Sequence, residues 1–122
     1  MVPRINQEKK MKIAIPTAEG KLCMHFGHCQ QFEILTVDPD TKTISGCESM
    51  TPPPHEPGVL PAWLHEQGVN LIIAGGMGQR AQQIFTQNNI QVVVGAPAKS
   101  SEELVTAWMN GTLVSGTNAC DH

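Results

Sequence analysis

The chain predicts an α/β domain in which an antiparallel three-strand meander is joined to a parallel βαβ half. Three observations carry that expectation. Short apolar, β-branched segments recur in the first half around a turn-forming stretch. A proline-rich segment at 51–58 then interrupts the pattern, and from Val59 onward helical and strand-like periods alternate.

"MKIAIPT", from Met11, reads as a buried strand and marks the start of the domain; residues 1–10 are polar and aperiodic and read as a disordered extension ahead of a single domain at 11–122. "QFEILTVD" (31–38), the turn "DPDTKT" and "ISGCES" read as strand, turn, strand. "TPPPHEPG" cannot be helix interior or central strand, because each of its four prolines removes a backbone donor. "VLPAWLHEQG" reads as a short helix stopped at Gly68, and "NLIIAGG" as a buried strand. In "GQRAQQIFTQNN" the residues Ala81, Ile84 and Phe85 share one helical face, and "IQVVVG" reads as a second buried strand. "SSEELVTAWMNG" reads as a third helix, with Ser100 and Glu103 spaced as a capping box and Leu104, Ala107 and Trp108 on one face. The ending "TLVSGTNACDH" shows no regular period.

Composition narrows the function classes. Arg4, Lys9, Lys10 and Lys12 are half of the eight basic residues; beyond Lys12 four basic face ten acidic residues, a net of -6. An acidic body with 4% aromatic residues and no tyrosine disfavours nucleic acid and anionic membranes as partners. No apolar run is long enough to span a membrane, the first ten residues lack the apolar centre of a secretory signal, and the expected location is cytoplasmic. The four cysteines (Cys23, Cys29, Cys47, Cys120) are then expected as free thiols.

The densest chemistry is "CMHFGHC", residues 23–29. Cys23, His25, His28 and Cys29 bring thiolate and imidazole together with a thioether, a set suited to soft metals and iron-sulfur clusters. The spacing fits no zinc finger, and a β-hairpin with a packed cysteine and solvent-facing histidines is the plain alternative. "GGMGQRA" (75–81) is the second constellation. Gly76, Gly78 and Ala81 fit a loose dinucleotide pattern between strand and helix, while Arg80 stands in the first helical turn. Small residues at a helix start form an anion site, although no acidic residue lies about 20 positions on to hold a ribose. Gly78→Val is expected to disturb this loop, on the premise of a positive φ and close backbone approach.

Three further features are weaker. His55 is presented on the stiff proline loop, and Cys120 and His122 are spaced Cys-x-His at the end of the chain. His65 reads as solvated and Cys47 as packed. No nucleophile elbow, His-Glu-x-x-His or phosphate-binding loop motif is present, so hydrolase chemistry is disfavoured. A thiol or redox enzyme using Cys23 or Cys29, and a nucleotide-binding regulatory module, stand as alternative readings.

Taken in order, "MKIAIPT", "HFGHCQQFEIL", "GVNLIIAGGMGQRA" and "IQVVVGA" resemble the dinitrogenase iron-molybdenum cofactor biosynthesis family, the small NifX-like domains, from Met11 to about Gly111. The resemblance implies a three-layer α/β/α, ribonuclease-H-like fold with a five-stranded mixed sheet. It implies a carrier that reversibly binds an iron-sulfur or molybdenum-containing cluster, with copper as an alternative metal, and passes it between metal-cluster assembly proteins without catalysing turnover. By position His25 becomes the leading cluster-site residue, with the Gly76, Met77, Gly78 loop and Arg80 at the same end of the sheet. The wider candidate ligand set is Cys23, Cys29, His28, His55 and, through the "NACDH" ending, Cys120 and His122. The expected assembly is a monomer or weak dimer.

Overall fold

The structure, a computed structural model, describes residues 11–18, 21–22, 31–52 and 59–113. Its strands are β1 (Met11–Ala18), β2 (Lys21–Leu22), β3 (Gln31–Asp38), β4 (Thr43–Met50), β5 (Leu71–Ile73) and β6 (Gln91–Val93); its helices are α1 (Val59–Glu66), α2 (Gln79–Gln87) and α3 (Ser101–Met109). The sheet order is β4-β3-β1-β5-β6, with β2 paired to β1. β1, β3 and β4 form the antiparallel meander, whereas β5 joins β1, and β6 joins β5, in parallel. The mixed sheet with helices on both faces is the three-layer α/β/α arrangement expected. The two-residue β2 adds a sixth strand to the five read from the sequence.

Strict alternation along the central strands builds two cores. Ala14, Phe32, Ile34 and Ile72 point to one face, where they meet Leu60 and Leu64 of α1 and Phe85 of α2. Ile13, Ile15, Leu35, Val37, Leu71 and Ile73 point to the other, where Leu104 and Val105 of α3 cover them. β1 is buried on both sides from Ile13 onward, which is why "IAIP" is an unbroken apolar run. Each such fully buried aliphatic side chain stabilises the fold by about 1.5–3 kcal/mol relative to exposure. Phe32 and Trp63 meet edge to face, centroids 6.0 Å apart, and help seat α1.

Local signals explain the element ends. Pro61 lies in the first turn of α1, where a missing N–H costs no helical bond. Gly68, at φ +85°, takes the left-handed turn that lets the Val69 N–H return to the Leu64 carbonyl at 3.1 Å. The capping box of α3 is formed as the sequence predicts: Ser100 Oγ accepts from the Glu103 N–H, and the Glu103 carboxylate accepts from the Ser100 N–H, both at 3.3 Å. His65, exposed as expected, places Nδ1 2.9 Å from the Asn88 carbonyl oxygen, tying α1 to the end of α2.

Two expectations are corrected. "IQVVVG" is not a fully buried strand: β6 is an edge strand of three residues, with Gln91 exposed and Val92 and Val93 half-buried, because only β5 flanks it. Cys47 is exposed, not packed. It sits on β4, the opposite edge, while α3, the described helix on that face, packs chiefly over β1 and β3. β4 is further offset by a bulge at Thr36/Val37; Ser45 is the extra residue, and its hydroxyl donates to the Thr36 carbonyl at 3.2 Å.

Candidate functional site

Register places the described residues that flank the candidate motifs at one end of the sheet. β1, β5 and β6 run parallel, so Ala18, Ala74 and Val94 leave from the same end. The antiparallel pairs Thr17↔Gln31 and Phe32↔Met50 bring the start of β3 and the end of β4 to that end as well. The described residues bordering the 23–29 run and the 53–58 loop therefore lie beside the "GGMG" loop. Leu22, just before Cys23, is buried and donates its N–H to the Lys99 carbonyl at 2.9 Å. Cys23, His25, His28, Cys29, His55, Cys120 and His122 themselves lie outside the described residues. Among the described residues, no group of three or more His, Cys, Asp or Glu is gathered in a way that could hold a metal ion.

Gly76, Met77, Gly78 and Arg80 are brought together as one loop and helix start. The Ala74 N–H donates to the Val93 carbonyl at 2.8 Å, and the Gly95 N–H to the Gly75 carbonyl at 3.1 Å, so the loop is laced to the chain leaving β6. Gly95, at φ +83°, supplies the bend this lacing requires. Gln82, which sequence reasoning missed, reaches back from α2: its Nε2–H donates to the Met77 carbonyl at 2.8 Å. No motif announces such a bond; the signal is only a carboxamide one turn into a helix that follows a glycine loop.

Met77 is fully buried among the side chains between the sheet and helices α1 and α2. Its sulfur therefore has no exposed surface, and the residue anchors the loop by packing. Gly78 and Arg80 are exposed. Gly78 is the N-cap of α2 at φ -64° and ψ 156°, an extended conformation open to any residue, and among the described residues a Cβ there would meet nothing within 4 Å. The expectation that Gly78→Val disturbs the loop through a positive φ and close contact is thereby corrected: neither the dihedral nor the space demands glycine.

The two helices that start at this edge after β5 and β6 differ in a way that decides which can receive an anion. α3 is closed by its own Ser100–Glu103 box and carries Glu102 and Glu103 in its first turn. α2 starts at Gly78, which offers no side-chain cap, has no acidic residue in its first turn, and carries Arg80 there, where the N–H groups give the helix its positive end. A glycine with open space in front of it and an uncapped helix dipole behind it can hold a negatively charged ligand.

The Cys47 thiol is held above its ordinary range by partial desolvation and then by the charges of Glu33, Glu102 and Glu48. Cys47 is accordingly expected to alkylate more slowly than free cysteine at pH 7–8. Mass-mapped alkylation across pH checks this; a rate at or above that of free cysteine would refute it.

Comparison with known proteins follows from this geometry. The family model described as dinitrogenase iron-molybdenum cofactor matches residues 9–111. An uncharacterized protein of Methanocaldococcus jannaschii is 32% identical over 113 residues, covering 90% of this chain and 95% of the relative. The crystal structure of PH0822 superposes with a TM-score of 0.74 at 26% identity, over 86% of this chain and 94% of that one. The apo form of the orange protein from Desulfovibrio gigas gives a TM-score of 0.67 at 19% identity, over 88% and 94%. That last likeness is one of fold.

Proposed function

The chain belongs to the dinitrogenase iron-molybdenum cofactor family, and from that premise we propose that it reversibly binds an anionic iron-sulfur or molybdenum-containing cluster as cargo and passes it between cofactor-assembly proteins. The observation that carries the reading is the uncapped, glycine-fronted start of α2, with Arg80 in its first turn, on the edge where the chain enters and leaves the 23–29 run. Because the body of the protein is acidic, an anionic cargo has to be held by local donors. The α2 amides and Arg80 supply charge complementarity without a covalent bond. His25 is the leading direct ligand, with Cys23, His28, Cys29, His55, Cys120 and His122 as the wider set. Few strong bonds suit a carrier, since affinity set largely by a modest dissociation rate permits hand-over. Nothing in this scheme requires turnover. Among the described residues no helix is long and apolar enough to cross a membrane.

The test is anaerobic incubation of the purified chain with iron-sulfur species and, separately, with thiomolybdate, followed by desalting, elemental analysis and absorbance. Stoichiometric metal with visible charge-transfer bands is expected. His25→Ala should lower uptake with an unchanged unfolding midpoint. Wild-type protein that retains no metal from either mixture would sink the reading; full uptake by the variant would move the ligand to another residue.

A further inference from the structure

We propose that the outer edge of β4, with the cleft between β4 and the first turn of α3, docks an extended cationic segment of a partner protein. β4 is eight residues long, and among the described residues nothing pairs with its outer side. Such an edge is a template for an added strand, and proteins usually blunt it with lysine or proline. Thr43–Met50 contains neither, nor any arginine; its bulge at Ser45 leaves Gly46–Met50 in regular pairing with β3.

The cleft lies on the α3 face of the sheet, the face opposite to the one on which Met77 is packed. Its volume is about 300 Å³; Leu35 and Ile44 form an apolar floor, and Glu33, Cys47, Ser101 and Glu102 stand around it. Among the described residues no basic one lines it. The Glu33 carboxylate accepts a hydrogen bond from the Ser101 hydroxyl, so it is held in place at the wall. The same negative surroundings act on the Cys47 thiol.

Strand addition would supply main-chain hydrogen bonds to β4 and send alternate side chains over this face. A lysine or arginine fits both halves of the cleft: its methylenes lie on Leu35 and Ile44 while its charged head meets Glu33 and Glu102. A second copy is the poorer occupant. Self-pairing of β4 brings Glu48 of both molecules to one interface and offers no cation from the strand to either cleft.

The experiment is an amide chemical-shift titration of the whole labelled chain with a short blocked peptide of alternating threonine and valine carrying one central lysine. Its glutamate counterpart is titrated in parallel. The lysine peptide is expected to shift amides of Gly46–Met50 and Ser101–Glu102, and to bind about tenfold or more tightly than the glutamate peptide. The double variant Glu33→Gln with Glu102→Lys should abolish or reverse that preference; glutamine keeps an acceptor for the Ser101 hydroxyl, and an unchanged unfolding midpoint confirms the fold. Equal affinity for the two peptides, shifts confined to other elements, or no shift at millimolar peptide would overturn the proposal. So would a concentration-dependent dimer that shifts the same amides without peptide, which would assign the edge to a second copy.

Discussion

Met77→Leu is expected to leave cluster uptake unchanged, whereas Met77→Ala is expected to lower stability by about 2–5 kcal/mol. Both expectations come from one fact: the thioether, which looks like a soft ligand in a glycine loop, is fully buried between the sheet and helices α1 and α2. Leucine conserves volume and apolarity, so its cost should stay under about 1.5 kcal/mol. Alanine leaves a cavity beneath the loop whose Met77 carbonyl Gln82 holds, and uptake should fall along with stability. Denaturant unfolding and metal retention, measured on the same samples, separate the roles. Loss of uptake in the stable leucine variant would make the sulfur a ligand and would require the loop to open.

Gly78→Asp is expected to move stability and binding in opposite directions. Aspartate is a better N-cap than glycine by a few tenths of a kcal/mol, and its charge near the start of a helix adds about 0.3–1 kcal/mol. Among the described residues a Cβ at position 78 meets nothing within 4 Å, so none of them obstructs the new side chain. The carboxylate would, however, occupy the α2 amides and repel an anionic cargo, and uptake should fall about tenfold or more, equivalent to about 1.4 kcal/mol. Gly78→Asn supplies a cap without charge and is the control. An equal loss in the asparagine variant would assign the effect to bulk; unchanged uptake by the aspartate variant would remove the α2 start from the site.

The elements were largely legible because each carried a local signal. The unbroken apolar run of β1 announced a strand buried on both faces, and Ser100 with Glu103 announced a helix start to the residue. The left-handed turn at Gly68 was equally visible, since glycine is the residue that takes it without strain. What escaped was set by tertiary neighbours. Whether Cys47 is packed depends on how far α3 extends over the sheet, and whether Met77 is ligand or core depends on what α1 and α2 bring to it. Neither quantity has a local period. The glycine at position 78 misled for a related reason: glycine is usually read as a backbone necessity, yet here the φ of -64° asks for no such exemption. It is exposed at the start of α2. The sequence marked His25 and its neighbours by their chemistry, and the register of β1, β3 and β4 adds that the chain enters and leaves this run at the edge where α2 begins.

β1 is the middle strand of the sheet, yet it precedes the other described strands in the chain. It pairs with β3, which begins at Gln31, over the register Thr17↔Gln31 to Met11↔Val37. Its other side waits for β5, which begins at Leu71, far later in the chain. During that interval a strand with Ile13, Ala14 and Ile15 fully buried in the finished fold presents an open edge and two apolar faces. Parallel closure across such a separation is slow relative to a local hairpin. Until β5 pairs with β1, that open edge is the one a second unfinished chain can join, so aggregation on refolding is expected to rise with chain concentration.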